Sequence, residues 1–231
     1  KPDSFPPGLT RRQQRQKRVF DLMCAVPGLI VLSPVLAVAT VAATISTRQW
    51  GIFTQERIGQ YGEVFTVYKL RSMRSSVIIT TTVTTTHDPR ITPLGRVLRA
   101  TKLDELPNLV NVIRGQMSLV GPRPDVPGWA DALTGEDRVV LTLKPGITGP
   151  ASRAFRNEED LLASTSDPET YNRQVIWPEK VRLNREYAAS WTIQTDIREV
   201  LSTVWQPMKH CDPAHGCLCG VHVEIPPTVR A

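Results

Sequence analysis

The sequence predicts a mainly helical α/β chain with short strands, held at a membrane through its N-terminal region. Three observations carry that prediction. Leu22 to Ile45 runs for 24 residues without a charged side chain; as one straight helix it would reach ~36 Å, against a bilayer core of ~30 Å. Two helical apolar patterns follow one another in the middle of the chain, and a third lies near its end. Between the run and these patterns, GEVFTVYKLRSM (Gly62 to Met73) has the β-branched and aromatic content of a short strand.

The chain has 231 residues, of which 41% are hydrophobic. That suffices for one sizeable domain or two small ones, each with a core. The net charge of +6 points to an anionic partner: nucleic acid, an acidic membrane surface or a phosphorylated substrate. A start at Lys1 rather than Met suggests a processed or truncated form, and whether residues precede it is left open. Nothing in the sequence repeats at the period of a solenoid or propeller.

Cys24 lies in the apolar run, whereas Cys211, Cys217 and Cys219 crowd the C-terminal stretch with His210, His215 and His222. The spacing is neither a disulfide framework nor a pair of zinc-binding C-x2-C motifs. A loose tail with free thiols in a reducing compartment is expected, with a metal site as the alternative.

A transmembrane helix is the default for Leu22–Ile45, and its length argues against a cleavable signal peptide. Pro27 and Ser33-Pro34 interrupt the run, each proline removing a backbone donor. Ser33 is placed to bond a carbonyl that a proline frees. Arg11, Arg12, Arg15, Lys17 and Arg18 precede the run, and Arg48 and Arg57 follow it. Basic residues on both flanks fit poorly with a span that leaves only one end inside. A kinked span and a bent helix that returns to the same face both remain open on these grounds.

In the middle of the chain, Leu94, Val97 and Leu98 form one apolar helical face; Leu106, Leu109, Val110 and Ile113 form the next. Residues 75–90 are a Thr-rich loop or extended segment. Pro107 belongs near the start of the second helix, which puts Asp104 and Glu105 at its N-terminus, where the backbone favours ionised carboxylates and phosphate. Thr101 and Asp104 have capping-box spacing. Helix capping and a catalytic carboxylate pair are thus two explanations of the same residues. Gly121-Pro122-Arg123-Pro124 is a stiff turn presenting one planar guanidinium, suited to bidentate binding of phosphate or carboxylate. Leu143–Pro150 forms another Gly/Pro turn. Near the end, Ile193, Ile197, Val200, Leu201 and Val204 line a helix face bracketed by Trp191 and Trp205, a pattern that suits a membrane interface or the domain's own core.

The order of these elements carries more information than any one of them. A basic N-terminus and an apolar run with Ser33-Pro34 are followed by FTQERIG, YKLRSM, DPRIT, LDELPNL, SLVGPRP and PGITG. From about Lys17 to Trp205 the chain resembles the bacterial sugar transferase family, monotopic polyprenyl-phosphate phosphoglycosyl transferases. The resemblance implies a re-entrant helix-break-helix over residues 19–47, broken at Ser33 and Pro34, on the cytoplasmic face of a bacterial inner membrane. It implies transfer of a sugar-1-phosphate from a nucleotide diphosphate sugar, usually a UDP-sugar, to undecaprenyl phosphate, with release of UMP, to begin an exopolysaccharide or lipopolysaccharide. By the same resemblance Asp104 is the nucleophile, Glu105 the carboxylate ligand of Mg2+, and Arg99, Arg123 and Lys69 the cations for the phosphates. Asp196 matches an acidic position for which an ion-pair role is expected.

The expected organisation is a basic segment 1–18, the membrane helix 19–47, a catalytic domain 48–207 with amphipathic interfacial helices, and the Cys/His tail 208–231. The expected partners are polyprenyl phosphate, the nucleotide sugar and membrane lipid, with a homodimer left open and no nucleic acid. After GITG this chain reads PASRAFRNEED, where many members carry a Gln- and Gly-Arg-containing segment; Arg153 and Arg156 are candidates to replace the missing Arg. The alternatives are a family member without activity and a membrane-anchored basic scaffold. The scaffold gives no role to the ordered Asp-Glu, Gly-Pro-Arg-Pro and Gly-Ile-Thr-Gly elements.

Overall fold

The computed structural model describes residues 5–75, 88–205, 217–218 and 221–222. A 37-residue helix, α1 (Arg11–Thr47), opens the chain and is ~55 Å long at 1.5 Å per residue. It starts earlier than residue 19 because Thr10 and Gln13 form a capping box, each side chain bonding the other's backbone N–H. The basic residues from Arg11 to Arg18 are therefore the first turns of α1 and continuous with its apolar run. Pro27 and Pro34 stand inside α1 rather than ending it. At Pro34 the missing donor would have served the Ile30 carbonyl, and Ser33 Oγ donates to that oxygen at 2.8 Å instead.

One face of α1 packs on the rest of the chain along its length. Phe20, Leu29 and Leu32 join the main core with Val67, Val112, Met117 and Val120. Further along, Leu36, Ala39 and Ala43 meet Leu70 and Leu98. The opposite face leaves Met23, Ile30, Val31, Val38 and Ile45 exposed, each near 70%. The helix is long and apolar enough to cross a membrane by length and composition.

Beyond α1, β1 (Ile52–Ile58) and β2 (Val64–Leu70) form an antiparallel hairpin with Ile52 opposite Leu70. The strand expected in Gly62–Met73 is β2; its partner β1 is the FTQERIG motif. Helix α2 (Pro93–Ala100), a 3-10 turn (Leu103–Asn108) and α3 (Leu109–Arg114) follow. In α2, Leu98 is buried and Leu94 packs beside it, but Val97 is 56% exposed.

Two short strands, β3 (Ser118–Val120) and β4 (Gly146–Thr148), pair in parallel, and so the SLVGPRP and PGITG motifs lie side by side. A Cβ on Gly121 would sit 2.3 Å from the Lys144 carbonyl oxygen, and one on Gly146 would sit 2.2 Å from the Gly121 nitrogen. Only glycines allow these turns to touch. Helices α4 (Pro150–Ala154), α5 (Glu158–Ala163), α6 (Pro168–Tyr171), α7 (Trp177–Ser190) and α8 (Ile193–Trp205) complete the domain. The mainly helical α/β expectation therefore stands.

Trp191 is not an interfacial aromatic. It is 5% exposed in the main core, with Lys17 Nζ 6.0 Å from its ring centroid. The α8 stripe divides: Ile193 and Val200 pack on that core, whereas Ile197 and Leu201 are exposed. The Thr-rich segment lies largely outside the described residues, as does most of the Cys/His tail. Within that tail, Cys217–Leu218 (β5) and Val221–His222 (β6) pair as antiparallel strands.

Candidate active site

Asp104 and Glu105 sit on the 3-10 turn, 8% and 9% exposed. The turn begins at Lys102 in the left-handed region (φ 58°), without a side-chain cap. Thr101 instead closes α2, its hydroxyl donating to the Val97 carbonyl at 2.8 Å. The capping box expected between Thr101 and Asp104 is therefore absent, since Thr101 belongs to the preceding helix. Asn108 ties the turn to the hairpin: buried, it accepts from the Tyr68 N–H at 3.0 Å.

That tether places β2 over the carboxylates. Lys69 Nζ lies 3.1 Å from Glu105 Oε1. The rigid Gly-Pro-Arg-Pro turn after β3 brings Arg123 to the same oxygen at 2.6 Å, with a second contact of 3.4 Å to Oε2. Three of the sequence-predicted residues thus meet at Glu105, beside Asp104. Arg99 does not join them. It pairs with Glu159 at the start of α5, and its other terminal nitrogen lies 3.6 Å from the Met73 sulfur. Its charge still reaches Asp104, as a minor influence that lowers the carboxyl's pKa.

The two carboxylates are driven in opposite directions. Burial is the largest influence on Glu105 and acts upward, but Arg123 and Lys69 together overcome it and hold the group well below the usual carboxylate range. Asp104 is raised by burial and then by the neighbouring Glu105 charge. One of its oxygens, Oδ1, is shielded from solvent and has no hydrogen-bond partner. Burial lowers Lys69, with Glu105 opposing that shift. Arg123 is raised, chiefly by the Glu105 charge.

Two residues at or beside this cleft were not assigned to it from the sequence. Arg57, at the end of β1, lines it together with Lys69, Glu105, Asn108 and Arg123. Asp125 follows the Arg123 turn and accepts from the Ile58 N–H through its backbone carbonyl at 2.9 Å. Burial pushes the Asp125 carboxyl up to about 6, against the charges of Lys180, Arg57 and Arg123. Arg57 lies within the FTQERIG motif and Asp125 directly follows SLVGPRP, and that was the available signal.

Arg153 packs away from this cleft. Its guanidinium bonds both oxygens of Glu199 on α8, at 2.9 and 3.2 Å. Asp196 has the expected ion-pair role. It is wholly buried and receives Lys17 Nζ at 2.6 Å and the Tyr187 hydroxyl at 2.5 Å.

Chemically, the cluster offers an ionised carboxylate held by two cations, a second carboxylate with a free buried oxygen, and three basic side chains lining one opening. No group of three or more His, Cys, Asp or Glu side chains gathers among the described residues. A protein cage for a metal is therefore absent there. The Asp104–Glu105 pair still fits Mg2+, which commonly takes one or two carboxylates and completes its shell with phosphates and water.

The sequence pattern of the bacterial sugar transferase family matches residues 12–210, and the chain belongs to that family. It is 35% identical, over 82% of its length, to the UDP-glucose:undecaprenyl-phosphate glucose-1-phosphate transferase of Escherichia coli (strain K12). It is 32% identical, over 84% of its length, to the undecaprenyl-phosphate galactose phosphotransferase of Salmonella typhimurium. The chain spans 39% and 41% of those two relatives' own lengths. The exopolysaccharide production protein PSS of Rhizobium leguminosarum bv. phaseoli is 32% identical over 81% of this chain and 92% of its own.

Proposed function

We propose that this protein transfers a sugar-1-phosphate from a UDP-sugar to undecaprenyl phosphate at a bacterial inner membrane. The observation that carries the proposal is the Asp104–Glu105 pair: two adjacent buried carboxylates, one ionised by Lys69 and Arg123, the other with an unpartnered oxygen. A nucleophile needs an oxygen not already committed, and Asp104 has one. Phosphoryl transfer needs positive charge around the reacting group, which Lys69, Arg123 and Arg57 bring to the cleft.

In the proposed reaction a carboxylate oxygen of Asp104 attacks the sugar-bearing phosphorus. The bond from that phosphorus to the bridging oxygen breaks, and UMP leaves with the electron pair. An oxygen of undecaprenyl phosphate then attacks the same phosphorus and releases the Asp104 carboxylate. Raising Asp104 by burial makes it the more basic of the two carboxylates, and holding it in line supplies the remaining advantage. Glu105 would hold Mg2+, which when bound neutralises phosphate charge. Lys69 and Arg123, released from Glu105, would turn to the phosphates. Arg99 stays with Glu159 and contributes long-range potential only.

The membrane arrangement proposed is re-entrant, with both ends of α1 on the cytoplasmic face. It is supported by anchoring of both flanks of the apolar run on one domain. Lys17 reaches Asp196 at one end; at the other, Arg74 donates to the Ser46 carbonyl at 3.2 Å. Cysteines placed before Val19 and after Ser46 should label from the same side, and labelling from opposite sides would restore a spanning helix.

The deciding assay is UMP release from a panel of UDP-sugars with undecaprenyl phosphate and Mg2+. Release that requires the lipid phosphate and disappears in Asp104→Asn is the expected result. Full activity in that variant removes Asp104 as nucleophile.

A further inference from the structure

Lys69 and Arg123 have a carboxylate in hand; Arg57, in the same cleft, does not. Its two terminal nitrogens donate to neutral acceptors, the Pro124 carbonyl at 3.2 Å and the Gln55 side-chain oxygen at 2.7 Å. Its Nε is shielded from solvent without a partner. No carboxylate among the described residues forms an ion pair with it, although Glu105 and Asp125 are near enough to influence its charge. Arg123, in the same cleft, repels it.

A guanidinium that is partly buried, beside another cation and on neutral acceptors, is costly to keep. The backbone does not require it, because its two acceptors are a half-buried carbonyl of the Arg123 turn and a neighbouring side chain. Two of its five N–H groups are used on those acceptors. An anion entering the cleft offers it the missing countercharge, and a planar fork with donors to spare suits a phosphate.

On the functional reading given above, we infer that Arg57 is a substrate-binding residue that takes a phosphate group in the cleft, alongside Arg123. The phosphate belongs either to the nucleotide sugar or to the polyprenyl phosphate. The hairpin β1–β2 then carries a phosphate contact on each strand, Arg57 on one and Lys69 on the other.

Equilibrium binding to the purified full chain in detergent tests this with three probes: UMP, UDP-glucose and a short-chain polyprenyl phosphate. Arg57→Gln is expected to weaken at least one of them by about 10- to 100-fold, the size of a lost charge-assisted contact, with an unchanged or higher melting temperature. Loss confined to UMP and UDP-glucose assigns Arg57 to the donor, and loss confined to the lipid phosphate assigns it to the acceptor. Unchanged affinity for every probe the wild type binds overturns the role of Arg57 and leaves the reaction intact. A wild type that binds none of them overturns the functional reading as well. Should Arg57→Gln fail to fold, Arg57→Lys keeps the charge and loses the fork; affinities within twofold of wild type in that variant overturn the inference.

Discussion

Replacing Asp196 with Ala should unfasten the N-terminal half of α1 from the domain. Asp196 is completely buried, and both of its oxygens are used: Lys17 Nζ at 2.6 Å on one, the Tyr187 hydroxyl at 2.5 Å on the other. Lys17 is itself 6% exposed and also donates to the Tyr187 oxygen at 2.9 Å. In the Ala variant the ammonium stays in the core with one neutral acceptor and the faces of Tyr187 and Trp191. Breaking a buried pair by removing one partner costs ~3–5 kcal/mol. For a chain of this size each kcal/mol moves the melting point by ~2–4 °C, so a drop on the order of 10 °C is expected. Tyr187→Phe removes a single hydroxyl bonded to a charge and should cost ~2 kcal/mol. Lys17→Met combined with Asp196→Leu removes both charges and should recover most of the loss. Thermal unfolding in detergent, followed by tryptophan fluorescence, reads all four proteins, and Trp191 beside Lys17 reports locally. An Asp196→Ala variant within ~1 kcal/mol of wild type, or a double variant no better than the single, would refute the pair as the fastener of α1.

Three further outcomes concern the candidate active site and its supporting turn. The Asp125 carboxyl is raised from 3.8 to about 6, so the stability it contributes is present below pH 3.8 and lost as the pH rises through about 6. Asp125→Asn should match wild type near pH 4 and exceed it by up to ~3 kcal/mol at pH 7; parallel stability curves would show that the carboxyl is not perturbed. Asp104 is raised by burial and by Glu105, which has the same sign, and Asp104→Asn should therefore be inactive yet more stable than wild type at pH 7. A melting temperature below that of wild type at pH 7 would contradict its assigned burial. In Gly121→Ala the added methyl meets the Lys144 carbonyl oxygen at 2.3 Å, costing ~1–3 kcal/mol and displacing Arg123; wild-type activity in that variant would mean that the turn does not hold Arg123 in place.

Much of the fold was legible because it depends on local pattern. A long charge-free run between basic flanks specifies a helix apolar enough to enter a membrane, and Ser33 beside Pro34 announces its own remedy for the lost donor, as the bond to Ile30 bears out. The carboxylate pair, the Gly-Pro-Arg-Pro turn and the basic residue of β2 could be named because each sits in a short motif. The partner of each could not be read in the same way. Arg99 belongs to Glu159, 60 residues away, and Trp191 to Lys17 in the core. No periodicity encodes such contacts, because they depend on how separate elements pack. Val97 shows the same limit from the other side: it has the spacing of a core residue, and the domain leaves it exposed.

By itself, then, the sequence determined which residues could do the chemistry and which segment could enter a membrane, since both depend on side-chain type and near-neighbour spacing. Only the tertiary structure decided which of those residues meet. The β1–β2 hairpin and the parallel β3–β4 pair bring Arg57, Lys69 and Arg123 to Glu105 from separations of 48, 36 and 18 residues. Burial among them then separates two adjacent carboxylates into one held ionised and one pushed upward. Desolvation and charge proximity act through space, and the order of residues along a chain does not contain them.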